Sequence, residues 1–196
     1  DLVLPDACYL ERLDPSPNNH IHHFPVGMGE WGWQIRQPAV SPLARMGHAM
    51  ALDPTSIQVL LFGGMPLGGP VAGDTWTWDG TTWSQLAPLH APSPRMDAAI
   101  ATDLLRGRIV VYGGYDGTDL VDTAEWNGSD WRLLVTPVHP AVPVLPAMAT
   151  GPGGRHVVLF GGEDDVGLAH AETWWHGQLA GTRTFGSGCG SPPLAL

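Results

Sequence analysis

The stretch Val59-Leu-Leu-Phe62-Gly63-Gly64 decides how the chain reads, because it occurs three times. Its other copies are Val110-Val-Tyr112-Gly113-Gly114 and Val157-Val-Leu-Phe160-Gly161-Gly162, so Phe62, Tyr112 and Phe160 recur at intervals of 50 and 48 residues (112 − 62 and 160 − 112). Each copy is an apolar run rich in β-branched residues and closed by two glycines, the pattern of a strand delivered into a tight turn. Self-similarity at such a period signals repeated structural units side by side.

Downstream of each glycine pair lies a second landmark: Trp76-Thr-Trp78-Asp79-Gly80-Thr-Thr-Trp83, Glu125-Trp126-Asn127-Gly128-Ser-Asp-Trp131, and Trp174-Trp175-His176-Gly177. Asp-Gly and Asn-Gly between aromatic residues predict hairpins with type I′ turns, in which both central residues take positive φ. Upstream lie Arg45-Met-Gly-His48-Ala-Met50-Ala, Arg95-Met-Asp-Ala-Ala-Ile100-Ala and Pro146-Ala-Met148-Ala, alternating small and large as an inner strand crowded at a propeller's centre requires. Each unit therefore reads as strands A, B, C and D of one four-stranded blade, and the chain as all-β.

The double glycine after a β-branched run, with spaced tryptophans behind it, resembles the kelch repeat over residues 42 to 178. The Arg45-Met-Gly-His48 and Trp78-Asp-Gly-Thr-Thr-Trp83 segments are similar to the bacterial secreted variant of that family, whose blades resemble the central domain of galactose oxidase. The copper centre of that oxidase uses tyrosines for which Tyr9, Tyr112 and Tyr115 offer no matching positions.

Three units, about 42–88, 92–137 and 142–181, are too few for a closed ring, since propellers typically carry about four to eight blades. The third lacks a second tryptophan and an outer strand D. Trp33-Gln-Ile-Arg36-Gln-Pro38 aligns with Trp83-Ser-Gln-Leu86-Ala-Pro88 and Trp131-Arg-Leu-Leu134, so residues 31–38 read as an orphan strand D. It would complete a third unit in a second copy, or the sequence would be an excerpt of a longer propeller; residues 182–196 compete for the same role. Unpaired blade edges predict self-association. Residues 1–30, with Pro15, Pro17 and Pro25, read as an extension or cap, and Phe185-Gly-Ser-Gly-Cys189-Gly-Ser-Pro-Pro193 resembles the start of a Gly- and Cys-containing module that follows kelch units in some secreted bacterial proteins.

Composition narrows the partners. The 196 residues hold 26 Gly and 19 Pro with 14% charged residues, which suits short strands and tight turns. All nine basic residues are Arg and the net charge is −10, so no basic face is offered to nucleic acid. No apolar run reaches the roughly 18 residues of a membrane-spanning helix. The start at Asp1 reads as a processed or excerpted chain. Cys8 and Cys189 predict a disulfide tying the chain ends together in an oxidising compartment, or else two buried thiols. Together with the resemblance, this points to a secreted or cell-surface protein.

Candidate ligand-binding residues gather where B-to-C loops and A-strand starts share one end of the blades: Arg45, Arg95, Tyr115, Asp116, Asp119, Glu163 and Asp164, with Asp165 beside them. Such a ring of Arg and carboxylates suits a glycan or a peptide. Arg45 and Arg95 fit pairing with a neighbouring blade or with backbone carbonyls better than ligand binding, and Pro143 takes their place in the third unit. The acidic loops equally fit solvated turns, and Glu163-Asp-Asp165 lacks the EF-hand pattern. His20, His22 and His23 are the metal candidates, since residues two apart on a strand share a face. His48 is expected to be buried and hydrogen-bonded, and His90 and His139 to lie in loops without partners. No nucleophile elbow, P-loop or dinucleotide fingerprint is present, and no cofactor is implied. The preferred function is an extracellular binding or scaffold module engaging a glycan or protein. A carbohydrate-active oxidase or lyase, and a self-assembling surface or filament subunit, are the alternatives.

Overall fold

The computed structural model describes residues 32–164 and 166–177. The candidate metal residues His20, His22 and His23, the pair Cys8 and Cys189, Asp165 and the tail lie outside the described residues. The chain forms two compact units, Asp1–Gln37 and Pro38–Leu196. In the first, residues 32–37 form no strand, and the side chains of Trp33 and Ile35 are exposed.

Among the described residues the second unit is all-β apart from one 3₁₀ turn at Pro152–Gly154. Blade one orders β2 (Ala49–Asp53), β3 (Gln58–Phe62), β5 (Thr75–Trp78) and β6 (Trp83–Leu86) as an antiparallel sheet. Before it, β1 (Arg45–Met46) pairs with β4 (Met65–Pro66) in a separate ladder at the loop end. Blade two orders β7 (Ala99–Asp103), β8 (Arg108–Tyr112), β9 (Thr123–Trp126) and β10 (Trp131–Leu134) in the same way. Blade three has three strands among the described residues, β11 (Ala147–Thr150), β12 (Val157–Phe160) and β13 (Thr173–His176). No described strand covers the outer edge of β13.

Inner strand β7 lies between β2 and β11. Ala49, Ala99 and Ala101 are buried there, because only small side chains allow these strands so close. Threonine hydroxyls tie the strands across blades: Thr102 donates to the Leu52 carbonyl at 2.6 Å and Thr150 to the Thr102 carbonyl at 2.8 Å. Between blades one and two the core is Leu60, Phe62, Ile109, Val111, Ala124, Trp126 and Trp131; between two and three, Val110, Tyr112, Val157 and Leu159 contribute. The period-two alternation of β8 divides its side chains between the two junctions, with Ile109 and Val111 facing blade one and Val110 and Tyr112 facing blade three.

Two expectations require correction. The A strands begin later than expected: Gly47, at φ 63°, separates β1 from β2, and Arg95 precedes β7. The C-to-D hairpins form as expected, but not through type I′ turns. In the hairpin pairs Asp79-Gly80 and Asn127-Gly128 only the glycines take positive φ, Gly80 at 100° and Gly128 at 98°. Asp79 instead accepts from the Thr81 and Thr82 amides at 2.8 and 2.9 Å, and Asn127 from those of Ser129 and Asp130, both at 2.9 Å. Side-chain acceptors close these longer turns, so a second left-handed residue is unnecessary.

Candidate binding face

The glycine pairs build the loop end. The amides of Gly64 and Gly114 donate to the carbonyls of Arg95 and Pro143, each in the next blade, at 2.8 and 2.7 Å. A Cβ on Gly63 or Gly113, at φ 68° in both, would strike that same carbonyl oxygen. The repeated glycine is therefore where one blade hands over to the next. Three further left-handed residues, Gly47, Asp97 and Leu145, stand at matching places before the inner strands. They are linked in series, the Asp97 amide donating to Gly47 and the Leu145 amide to Asp97, at 2.8 and 3.3 Å.

The two candidate arginines are turned into this framework. Arg45 Nη1 donates to the Gly63 carbonyl at 2.9 Å, and its guanidinium grips Asp74 through both oxygens at 2.5 and 2.9 Å. Arg95 repeats the arrangement on Gly113 at 3.0 Å and Asp122 at 2.7 and 2.9 Å, with its side chain 0% exposed. Each guanidinium locks a blade's glycine turn to its own strand C. Burial pushes the Asp74 carboxyl up, but donation from Arg45 and from the Trp76 indole outweighs it and holds the group below its ordinary value. Blade three, with Pro143 in the arginine's place, keeps the remaining half: Trp174 Nε1 donates to Glu172 at 2.8 Å. Asp74, Asp122 and Glu172 escaped the sequence reading, although each precedes a threonine that opens strand C.

The candidate carboxylates mostly serve their own loops. Asp116 accepts from the Thr118 amide and hydroxyl at 3.1 and 2.9 Å. Asp164 accepts from His170, from Leu168 and from Val166 at 2.9, 2.8 and 3.1 Å, and the His170 contact leads the effects that lower its pKa. Single bridges join Tyr115 to Met96 and Asp119, and Glu163 to Val144 and Ala169, so D-to-A segments and B-to-C loops share one face as expected. Tyr115, Asp116 and Glu163 are exposed there. Apolar tips surround them that no motif marks in the sequence: Met46, Leu67, Leu145, Val166 and Leu168 are exposed large side chains, Leu67 at 88%.

The histidine expectations need correction. His48 is exposed rather than buried. His90 has a partner after all: its amide and Nδ1 meet the two Asp130 oxygens at 2.8 and 2.7 Å, tying the linker after blade one to the hairpin of blade two. His139 Nδ1 lies 2.9 Å from the Pro140 carbonyl. His176 Nε2 lies 3.2 Å from Glu125, which also accepts from Arg106. Burial, with Arg106 beside it, lowers the His176 pKa and favours the neutral ring. Among the described residues no three His, Cys, Asp or Glu side chains group as a metal site, and no helix is long and apolar enough to cross a membrane.

Over 95 residues the chain is 35% identical to an F-box/kelch-repeat protein of Arabidopsis thaliana. The match covers 43% of this chain and 20% of that protein, so the chain corresponds to about a fifth of its relative's length. No family model matches the chain.

Proposed function

We propose that the loop face is a protein-binding surface on a rigid propeller scaffold, in a secreted or cell-surface protein. One observation carries this: the tips Met46, Leu67, Leu145, Val166 and Leu168 expose apolar side chains while the charged groups beneath them are engaged within the fold. Apolar contact set in a rim of exposed carboxylates is what a protein partner with an apolar patch and basic flanks would use. Similarity to a kelch-repeat protein supports the same reading. A glycan is favoured less, because sugar platforms need aromatic faces and the three B-to-C loops carry a single aromatic residue, Tyr115.

The test compares the wild type with a Leu67→Glu/Val166→Glu/Leu168→Glu variant against an immobilised panel of extracellular proteins and a glycan array. A protein bound by the wild type and lost by the variant supports the proposal. Retention of glycans alone, or protein binding indifferent to the variant, overturns it. Titration of Cys8 and Cys189 with a thiol reagent in the isolated protein addresses compartment, an oxidised pair being the expected result.

A further inference from the structure

The junction between blades one and two is completed by Trp131. Its ring, 2% exposed, lies 4.9 Å from that of Phe62 and 5.4 Å from that of Trp126, and Nε1 donates to Thr75 at 3.0 Å. The matching positions at the next junction are Tyr112 for Phe62, Thr123 for Thr75 and His176 for Trp126, as the strand registers dictate. No described strand follows β13 to supply a tryptophan. In its place lies a cavity of about 70 Å³ lined by Tyr112, Thr123 and His176, with Leu159 and Trp174.

We propose that this cavity is the seat of Trp33 from a second copy of the chain, whose residues 33–36 add to β13 as an outer strand. The register of β10 on β9 then sets Trp33 opposite His176, Ile35 opposite Trp174 and Arg36 opposite Thr173. Trp33 is 106% exposed and Ile35 is also bare, as a strand without its sheet would be. Spacing supports the assignment: Arg36 to Arg45, Leu86 to Arg95 and Leu134 to Pro143 are each nine positions, so residues 33–36 end where a strand D preceding blade one should end.

The outer faces of blades one and three fit the same copy. Phe160, 53% exposed, and Thr173 stand where Phe62 and Thr75 receive Trp131, and blade one offers Trp83 at the Trp131 position, paired with Trp78 at 5.5 Å. Met50 and Leu52 lie exposed on that side of blade one. At Gly161 the nearest outside atom to a built Cβ is the His170 carbonyl oxygen at 3.4 Å, so the carbonyl of a following blade, present over Gly63 and Gly113, is still to be supplied. Blade three of one copy thus precedes blade one of the other. Making the contact twice closes a two-fold ring of six blades, within the range propellers adopt. One latch is lost at this seam, because Gly151 stands where Asp53 accepts from Trp126, and the dimer should therefore dissociate on dilution.

Sedimentation equilibrium of the full chain across concentrations tests this, with Trp33→Ala as the decisive variant, since removing so exposed a side chain leaves the folded monomer intact. The proposal expects a particle of two 20.9 kDa chains whose dissociation constant rises at least about thirty-fold in Trp33→Ala. Phe160→Glu should weaken the same dimer through the other half of the seam. A monomer at every concentration, a dimer indifferent to Trp33→Ala, or open-ended growth beyond two chains would each overturn it.

Discussion

Replacing Arg95 by Met removes a fully buried guanidinium and leaves its hydrocarbon volume largely filled. Three sets of bonds go with it: the two-pronged grip on Asp122, the bond to the Gly113 carbonyl, and donation to Ser93. Breaking a buried pair by removing one partner costs about 3–5 kcal/mol. Asp122 is 38% exposed, so water partly resolvates the stranded carboxylate and the lower end, about 3 kcal/mol, is expected. That is a large share of the roughly 5–15 kcal/mol by which domains are stable, and corresponds to a fall in Tm of about 6–12 °C. Urea unfolding followed by tryptophan fluorescence reads it directly. Arg95→Met/Asp122→Leu should recover much of the loss, because the stranded charge goes too. A loss under about 1 kcal/mol for the single variant would refute the structural role and return Arg95 to the ligand-binding role suggested by the sequence.

Gly113→Ala should be among the most damaging single changes, because it forces an L residue to φ 68° and drives its Cβ into the Pro143 carbonyl; loss of soluble protein or more than about 3 kcal/mol in unfolding is expected. Trp131→Phe keeps an aromatic ring but removes the indole N–H that Thr75 accepts from and leaves part of the buried site unfilled, and should cost at least about 1–2 kcal/mol in the same assay. Stability should fall with acid in two stages. His176 has its pKa lowered from 6.5, so below that pH the unfolded chain takes up a proton that the folded chain resists, and a pH series of Tm should decline there, less steeply in His176→Gln. Asp53 and Asp74 lie below 3.8 in the fold, so the stability they contribute is complete above 3.8 and is lost as the pH drops through their folded values.

The repeat, the all-β class and the blade order of strands were legible in the sequence. They depend on local properties: β-branched runs, alternation of side chains, and glycines where φ must be positive. Phe62-Gly63-Gly64 announces a strand and its turn wherever it stands. What the same residues do for one another was not legible. Asp74 lies 29 residues from Arg45, and Asp130 lies 40 from His90. The carbonyl that excludes a side chain from Gly63 belongs to the next blade. Such pairings follow from how one blade seats on another. Local pattern therefore singled out Arg45 and Arg95 as repeated and special, and only the tertiary structure decided that their guanidinium groups turn inward, because the carboxylates and carbonyls that bind them meet only after the strands have assembled.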